Sequence, residues 1–333
     1  MVAVLLCAVD PPGSRLALVR KYGPSSYQGA GEIRCSTGPV SVVAGSNGQV
    51  FVTSSVSDSV GVIDLTRHRT LNGIKVGWAP SSLALVPESE YLLVCNAGAD
   101  SVSVVDIRGA VEAGRVAVGR EPREVVMASG SQAAYVCEQG AGSVCALDLT
   151  SLRPGRPDAV SVAWRTSLGP HAQPRALLPT SSGPALVLCR TTDRLPVIDL
   201  ASGHVMAEVA LPGPGGASGA VELEGGFALV TLERLGAIAV VDLMEWSVTR
   251  LIPVGPRPRG IVVDPDDRTV YCPLPLTGGL AVIHLDGVDL SNEDGVPQFE
   301  SVRVGSAPRS LTVVRCTDSD SGAWPAPACL PPR

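Results

Sequence analysis

Short apolar runs of five or six residues, separated by Pro, Gly, Asn and Asp, recur in fours along almost the whole chain. In one unit they occupy 82–86, 91–95, 101–106 and 114–118. Runs this short, rich in Val, Leu and Ile and bounded by turn-forming residues, read as β-strands joined by tight turns. The third run closes on nearly the same phrase each time: Val-Ile-Asp64-Leu, Val-Val-Asp106-Ile, Ala-Leu-Asp148-Leu, Val-Ile-Asp199-Leu, Val-Val-Asp242-Leu, and once Val-Ile-His284-Leu. An Asp at a strand end accepts hydrogen bonds from the amides of the following turn, so these aspartates read as turn formers and not as catalysts.

The fourth run closes on glycine, in most units with a proline two to five residues later. Gly38, Gly77, Gly119, Gly169, Gly213, Gly255 and Gly305 mark these ends, at spacings of 39, 42, 50, 44, 42 and 50 residues. A period of roughly 40 to 50 residues holding four strands is the mark of a propeller blade. Six full units lie between Gly38 and Gly305. In the remaining ends, 311–315 reads as an innermost strand, and 2–7, 15–20 and 32–36 as the second, third and outer strands of the same blade. The two termini therefore complete a seventh blade, which closes the radial array without an open sheet edge. The expectation is an all-β, seven-bladed β-propeller with four-stranded antiparallel blades, one domain over 1–316 followed by a loose tail over 317–333.

The pattern Pro-x-small-apolar, then Phe51-Val-Thr-Ser54, then Val-Ile-Asp-Leu, then an apolar run ending in Gly resembles the YVTN β-propeller repeat family and its lactonase-like relatives. It covers nearly the whole chain. The resemblance implies the fold; function has to come from the site, because the same scaffold hosts hydrolases, lyases, electron-transfer domains and plain binding proteins.

Composition narrows the function classes. With 45% hydrophobic and 17% charged residues the chain is a folded globular one. Thirty-two acids against 26 bases leave a net charge of −6, which argues against a general nucleic-acid or anionic-membrane surface. No stretch approaches the roughly 18 apolar residues of a bilayer span, and the N-terminus lacks the pattern of a signal peptide. The expectation is a cytoplasmic protein with neither nucleic acid nor membrane as partner. The nine cysteines show no CxxC pair, so no metal site is expected. Aligned second strands put Cys7, Thr53, Cys95, Cys137, Cys189, Thr231 and Cys272 at one position, which reads as a repeated choice of a small buried side chain. There is no GxSxG elbow, P-loop or haem-attachment motif, so no cofactor is implied. His68, His204 and His284 fall on outer hairpins or at a strand end and form no ligand cluster.

The residue after the blade-opening position begins the innermost strand at the rim of the central channel: Val40, Ser81, Arg123, Arg175, Ser218, Arg259 and Arg309 in chain order. Four arginines on one rim repel one another unless counter-charges or an anion sit among them, and guanidinium forks suit carboxylate or phosphate. The next position, where seven strands crowd, is Ser41, Ser82, Ala176, Gly219, Gly260 and Ser310, but Glu124 in the third blade. Breaks of a local rule fall at functional sites. A second departure follows the second strand, where Asn96 gives way to Glu138 in blade three and Arg190 in blade four.

One sector of one face is thus expected to gather Asn96, Arg123, Glu124, Glu138, Arg175 and Arg190, with Trp78 and His171 on adjoining loops. Glu124 and Glu138 are the candidate bases, their pKa expected to be lowered by the arginines, and His171 the complementary acid. Arg123, Arg175, Arg190, Arg259, Arg309, Asn96 and Trp78 are the candidate substrate-binding residues. Two readings stay open here. One is a small-molecule enzyme working by acid-base chemistry on an anionic metabolite: a lactonase-like hydrolase, lyase or isomerase of specialised metabolism. The other is a non-catalytic propeller binding a peptide or partner protein over the same face. Charged departures concentrated in one sector, and an aromatic content of only 4%, favour the enzyme.

Overall fold

The computed structural model describes residues 3–316, apart from 24–25, 46–47, 129, 131, 214, 265–267, 293–294 and 296. The tail 317–333 and the side chain of Cys7 lie outside what is described. Seven four-stranded antiparallel sheets are arranged in a ring. Their innermost strands are Pro39–Ala44, Pro80–Leu85, Pro122–Met127, Pro174–Pro179, Ala217–Leu223, Val262–Asp264 and Ser310–Cys316. Each touches the next, and the last touches the first.

The seventh blade is closed by both ends of the chain. Ser310–Cys316 pairs with Ala3–Asp10, with Leu311 opposite Ala8 and Thr312 opposite Cys7. Arg15–Gly23 and Ser26–Arg34 complete that sheet. The outer strand thus starts before the expected 32–36 and ends earlier; Tyr27 on it packs edge-on against Tyr271 of blade six, with ring centroids 6.1 Å apart. The two longest units are explained by longer hairpins between third and outer strands, at 149–160 in blade three and 285–297 in blade six.

What holds the ring together follows from alternation along each strand. Both faces of a blade are covered by neighbours, so both sets of alternating side chains are apolar in the second and third strands. One apolar cluster fills each of the seven interfaces between blades. Between blades two and three, for example, Leu93, Val102, Val136 and Leu147 are all 0% exposed. Each such side chain contributes about 1.5–3 kcal/mol relative to exposure. The strand-end aspartates do form turns: Asp106 accepts from Gly109 N at 3.0 Å, Asp148 from Thr150 N at 2.8 Å and Asp242 from Met244 N at 2.8 Å.

The alignment of the second strands needs correction. Residues opposite the second position of the third strand are Thr53, Cys95, Cys137 and Thr231, as expected, but Leu188 takes the place assigned to Cys189 by the position of its strand, Pro273 that of Cys272, and Val9 that of Cys7. Those strands end one or two residues out of phase with a fixed count from their sequence phrase. Because side chains alternate, Cys189 and Cys272 pack on the other face of their blades. Cys95, Cys137, Cys145, Cys189 and Cys272 are nevertheless all buried free thiols.

Candidate active site

All seven rim positions expected from the repeat line one central cavity of about 460 Å³. Glu124 lines it too, together with Gln139, Arg190 and a belt of serines that includes Ser41, Ser82 and Ser310. The belt is small because the inner strands crowd: a Cβ on Gly219 would lie 2.6 Å from the Gly260 Cα. Backbone bonds tie the loops that enter the inner strands to the hairpins that leave the second strands: Gln139 N to Glu121 O at 3.0 Å, Arg190 N to Gln173 O at 3.2 Å, Glu233 N to Gly216 O at 3.2 Å. Both loop sets therefore share the face on which the cavity opens.

Those bonds also identify the column that looks into the mouth. It lies one residue past the second strand: Ser55, Ala97, Gln139, Arg190 and Glu233 in blades one to five. The sequence pattern makes Arg190 the counterpart of Asn96 and Glu138, but by register that counterpart is Cys189. Gln139 and Glu233, which the repeat pattern does not single out, both meet rim arginines from this column, and Gln139 and Arg190 line the cavity. Arg123 Nε donates to Gln139 Oε1 at 2.6 Å. Glu233, only 8% exposed, stands 3.1 Å from Arg259 Nε and 3.8 Å from Arg175, and is the counter-charge shared by these two rim arginines.

Glu138 and Asn96 point away from the cavity. Glu138 is 0% exposed and its carboxylate is saturated: Arg165 Nε and Nη2 donate at 2.8 and 3.0 Å, Ser143 Oγ at 2.6 Å and the Gly119 N–H at 2.7 Å. Burial alone would raise its pKa, but these donors together hold it below the usual carboxylate range. Asn96 likewise donates to Ser103 Oγ at 2.8 Å and Ser101 Oγ at 3.2 Å. A Cβ on Gly77 would fall 2.6 Å from Asn96, and one on Gly119 2.6 Å from Glu138. The marker glycines thus make room for a buried polar residue beneath the loop, and in blade three that residue, Glu138, clamps the loop through the Gly119 N–H instead of facing the cavity. Asp10 does the same in blade seven, accepting from Ala307 N at 2.9 Å and Ser306 N at 3.2 Å.

Trp78 is 71% exposed on the mouth face, outside the cavity lining. His171 is exposed, and its carbonyl accepts a hydrogen bond from the Thr191 hydroxyl; its ring is not in the lining either. Neither residue is brought to Glu124. Among the described residues no group of three or more His, Cys, Asp or Glu is disposed to hold a metal ion.

Glu124 itself departs from expectation in an instructive way. Its Oε2 accepts the Leu177 N–H from the next blade at 2.6 Å, while among the described residues its other oxygen has no hydrogen-bond partner and is left to the cavity. Burial in the inner wall outweighs that bond and the charge of Arg175, so the carboxyl is pushed up to about 7, not lowered. Such a group exchanges a proton near neutrality. Around it the cations crowd: burial, with Arg259, Arg190 and Arg123 nearby, pushes Arg175 down to about 10 against the opposing pull of Glu233. Arg309 is lowered as well, first by burial and then by Arg259. The cavity is an electropositive chamber with one proton-exchanging carboxyl in its wall.

Solved structures of seven-bladed propellers align with nearly the whole ring. A putative 6-phosphogluconolactonase from Bacteroides fragilis NCTC 9343 superposes with a TM-score of 0.78 at 12% identity, over 94% of this chain and 98% of that one. The periplasmic gluconolactonase of Pseudomonas aeruginosa superposes with a TM-score of 0.77 at 18% identity, over 94% and 99%. A streptogramin B lyase aligns over 80% and 86% with a TM-score of 0.66 at 10% identity. At these identities the likeness is one of fold: the chain shares the seven-bladed architecture of lactonase-like propellers. No protein-family model matches the chain, and no curated sequence does. No helix is long and apolar enough to cross a membrane.

Proposed function

We propose that the propeller is a lactonase-like hydrolase that binds an anionic metabolite in the central cavity and uses Glu124 as its proton-exchanging residue. The observation that carries this reading is the position of Glu124: one oxygen fixed by a backbone N–H, the other free, in a chamber lined by arginines. The substrate anion is held by arginine forks, which places the lactone carbonyl near the carboxylate. Ionised Glu124 takes a proton from water as the water oxygen bonds to the carbonyl carbon. A neighbouring guanidinium stabilises the oxyanion of the tetrahedral intermediate. When the ring C–O bond breaks, the proton on Glu124 passes to the departing oxygen, giving the hydroxy acid. The fold likeness to lactonases supports the reaction class, and the rest stands on the cavity.

A second reading is favoured by separate residues. Val56, Trp78 and Leu276, on loops of the same face, are 69%, 71% and 62% exposed, which suits a partner protein over the mouth. Assay of lactones bearing a carboxylate or a phosphate, by base uptake at constant pH, distinguishes the two. Hydrolysis that Glu124→Gln lowers about 100-fold or more, with folding kept, supports the enzyme. Activity unchanged in that variant removes Glu124 from catalysis, and no hydrolysis of any such lactone leaves the binding reading.

A further inference from the structure

The arginines of the cavity fall into two groups. Arg175 and Arg259 flank Glu233, and Arg309 lines the same cavity without bordering the side pocket. Arg123 and Arg190 instead form the boundary between the central cavity and a second pocket of about 260 Å³ that opens beside it, lined also by Glu121, Gln139 and Gln173. Among the described residues neither Arg190 nor Arg309 has a carboxylate within ion-pairing distance, and Arg123 is held by the neutral amide of Gln139. The five cations thus face three acids: Glu233, shared by Arg175 and Arg259, Glu124, whose Oε2 is already engaged by a backbone N–H, and Glu121 in the side pocket beside Arg123 and Arg190. A single anion seated at either group leaves the other group unneutralised. Solvent screens the exposed Arg123 and Arg190 in part, and a second negative group that reaches them relieves what repulsion remains.

We propose that the ligand of this cavity carries two anionic groups on one short scaffold, the first held by Arg175, Arg259 and Arg309 and the second by Arg123 and Arg190. Glu121 in the side pocket opposes an anion placed deep within it, so the second group stops at the boundary and any extension into that pocket is polar and uncharged. The chemistry that satisfies both groups is a dicarboxylate or a carboxylate joined to a phosphate or phosphonate. This rests on the reading of the cavity as an anion site and adds the number and placing of the charges.

The test is calorimetric titration of the full chain with glutarate, monomethyl glutarate, phosphonoacetate and inorganic phosphate. The expected result is that glutarate or phosphonoacetate binds about 10- to 100-fold more tightly than monomethyl glutarate, and that Arg190→Ala removes that advantage while changing monomethyl glutarate binding by less than about 2-fold. Arg190 is exposed and makes no side-chain ion pair among the described residues, so its variant should melt as the parent does. Preference for phosphonoacetate over glutarate identifies a phosphorus-bearing ligand, and the reverse a dicarboxylate. Equal binding of glutarate and its monoester, with no effect of Arg190→Ala, overturns the two-anion inference and leaves the anion site standing. If none of the four probes binds, the anion-site reading itself fails.

Discussion

Glu124, on the inner strand of blade three, accepts a 2.6 Å hydrogen bond from the backbone N–H of Leu177 on the inner strand of blade four. The bond fixes the carboxyl across a blade boundary without giving it a full counter-charge. Burial therefore keeps the neutral form competitive up to about pH 7.

That relationship makes a prediction for stability as well as activity. A carboxyl raised from 4.5 to about 7 by folding binds a proton in the native state that the unfolded chain has already lost. Stability should then be fully present below pH 4.5 and fall as pH rises towards 7, by at most about 3.4 kcal/mol. Glu124→Gln keeps an oxygen for the Leu177 N–H and has nothing to titrate. The variant should lose that slope and be at least as stable as the parent at pH 8, while hydrolysis in the parent rises through pH about 7 as the base form appears. Thermal melts from pH 4 to 8 check this; a variant less stable at pH 8 would mean that the attraction of Arg175 outweighs burial and that the Glu124 pKa is not raised.

Glu138 should behave in the opposite way. Its pKa is held down by Arg165, Ser143 and the Gly119 N–H, so its contribution is present above the unfolded carboxylate pKa and is lost as pH falls through the folded value. Glu138→Ala leaves a loop N–H and a guanidinium without their acceptor and should cost about 2–3 kcal/mol in urea unfolding. Turnover per folded molecule should not change. A large loss of turnover with unchanged stability would return Glu138 to the catalytic set.

The repeat was legible because a propeller writes each structural requirement seven times. A turn aspartate, a crowded inner position and a loop-end glycine each recur, so the ring, its closure by both termini and the rim column of Arg123, Arg175, Arg259 and Arg309 could all be placed. What was illegible turns on single-residue phase. Counting from the second-strand phrase put Glu138 and Arg190 in one column, whereas pairing puts Glu138 opposite Pro122 and Cys189 opposite Pro174. The slip belongs to Arg190, which lies one residue past that column, in the one that also holds Glu233; Glu138 keeps the register of Asn96, and its carboxylate turns from the mouth to accept the Gly119 N–H. The signal for Glu233 was present: in the column Ser55, Ala97, Gln139, Arg190, Glu233 it is the single acid. The raised pKa of Glu124 could not be read from sequence, because it depends on how much water the inner wall excludes.

The buried thiols offer a check on strand placement. Cys95, Cys137, Cys189 and Cys272 are 0% exposed, and burial raises all four pKa values. Thiolate is the reactive form, so labelling of the native protein should be slow at these sites and fast only in denaturant. Rapid native labelling of Cys189 or Cys272 would show that their strands are out of register.

Ring closure predicts a cooperative loss on truncation. The pairing of Ser310–Cys316 with Ala3–Asp10 is the only sheet among the described residues that joins distant ends of the chain. Deleting residues 310–316 removes that pairing and uncovers inner faces of blades six and one. The truncated protein should melt well below the intact one or not fold at all, and equal melting temperatures would refute closure by this route.

Glu233 supplies the last prediction, because it separates a structural counter-ion from a ligand mimic. It holds two arginines that are 28% and 20% exposed in a cavity already rich in positive charge. Glu233→Gln preserves shape and removes the charge, leaving Arg175 and Arg259 facing each other without relief. The expected loss is about 2 kcal/mol, moderated by solvent that reaches both guanidinium groups. A bound anion should then restore what the carboxylate supplied, since any ligand that binds only the native state stabilises it, by about 2.7 kcal/mol at 100 times its dissociation constant. Sulfate should therefore raise the melting temperature of the variant more than sodium chloride at equal ionic strength, and more than it raises that of the parent. Equal effects of the two salts on both proteins would mean that the chamber does not select anions, and the assignment of its arginines to substrate would go with it.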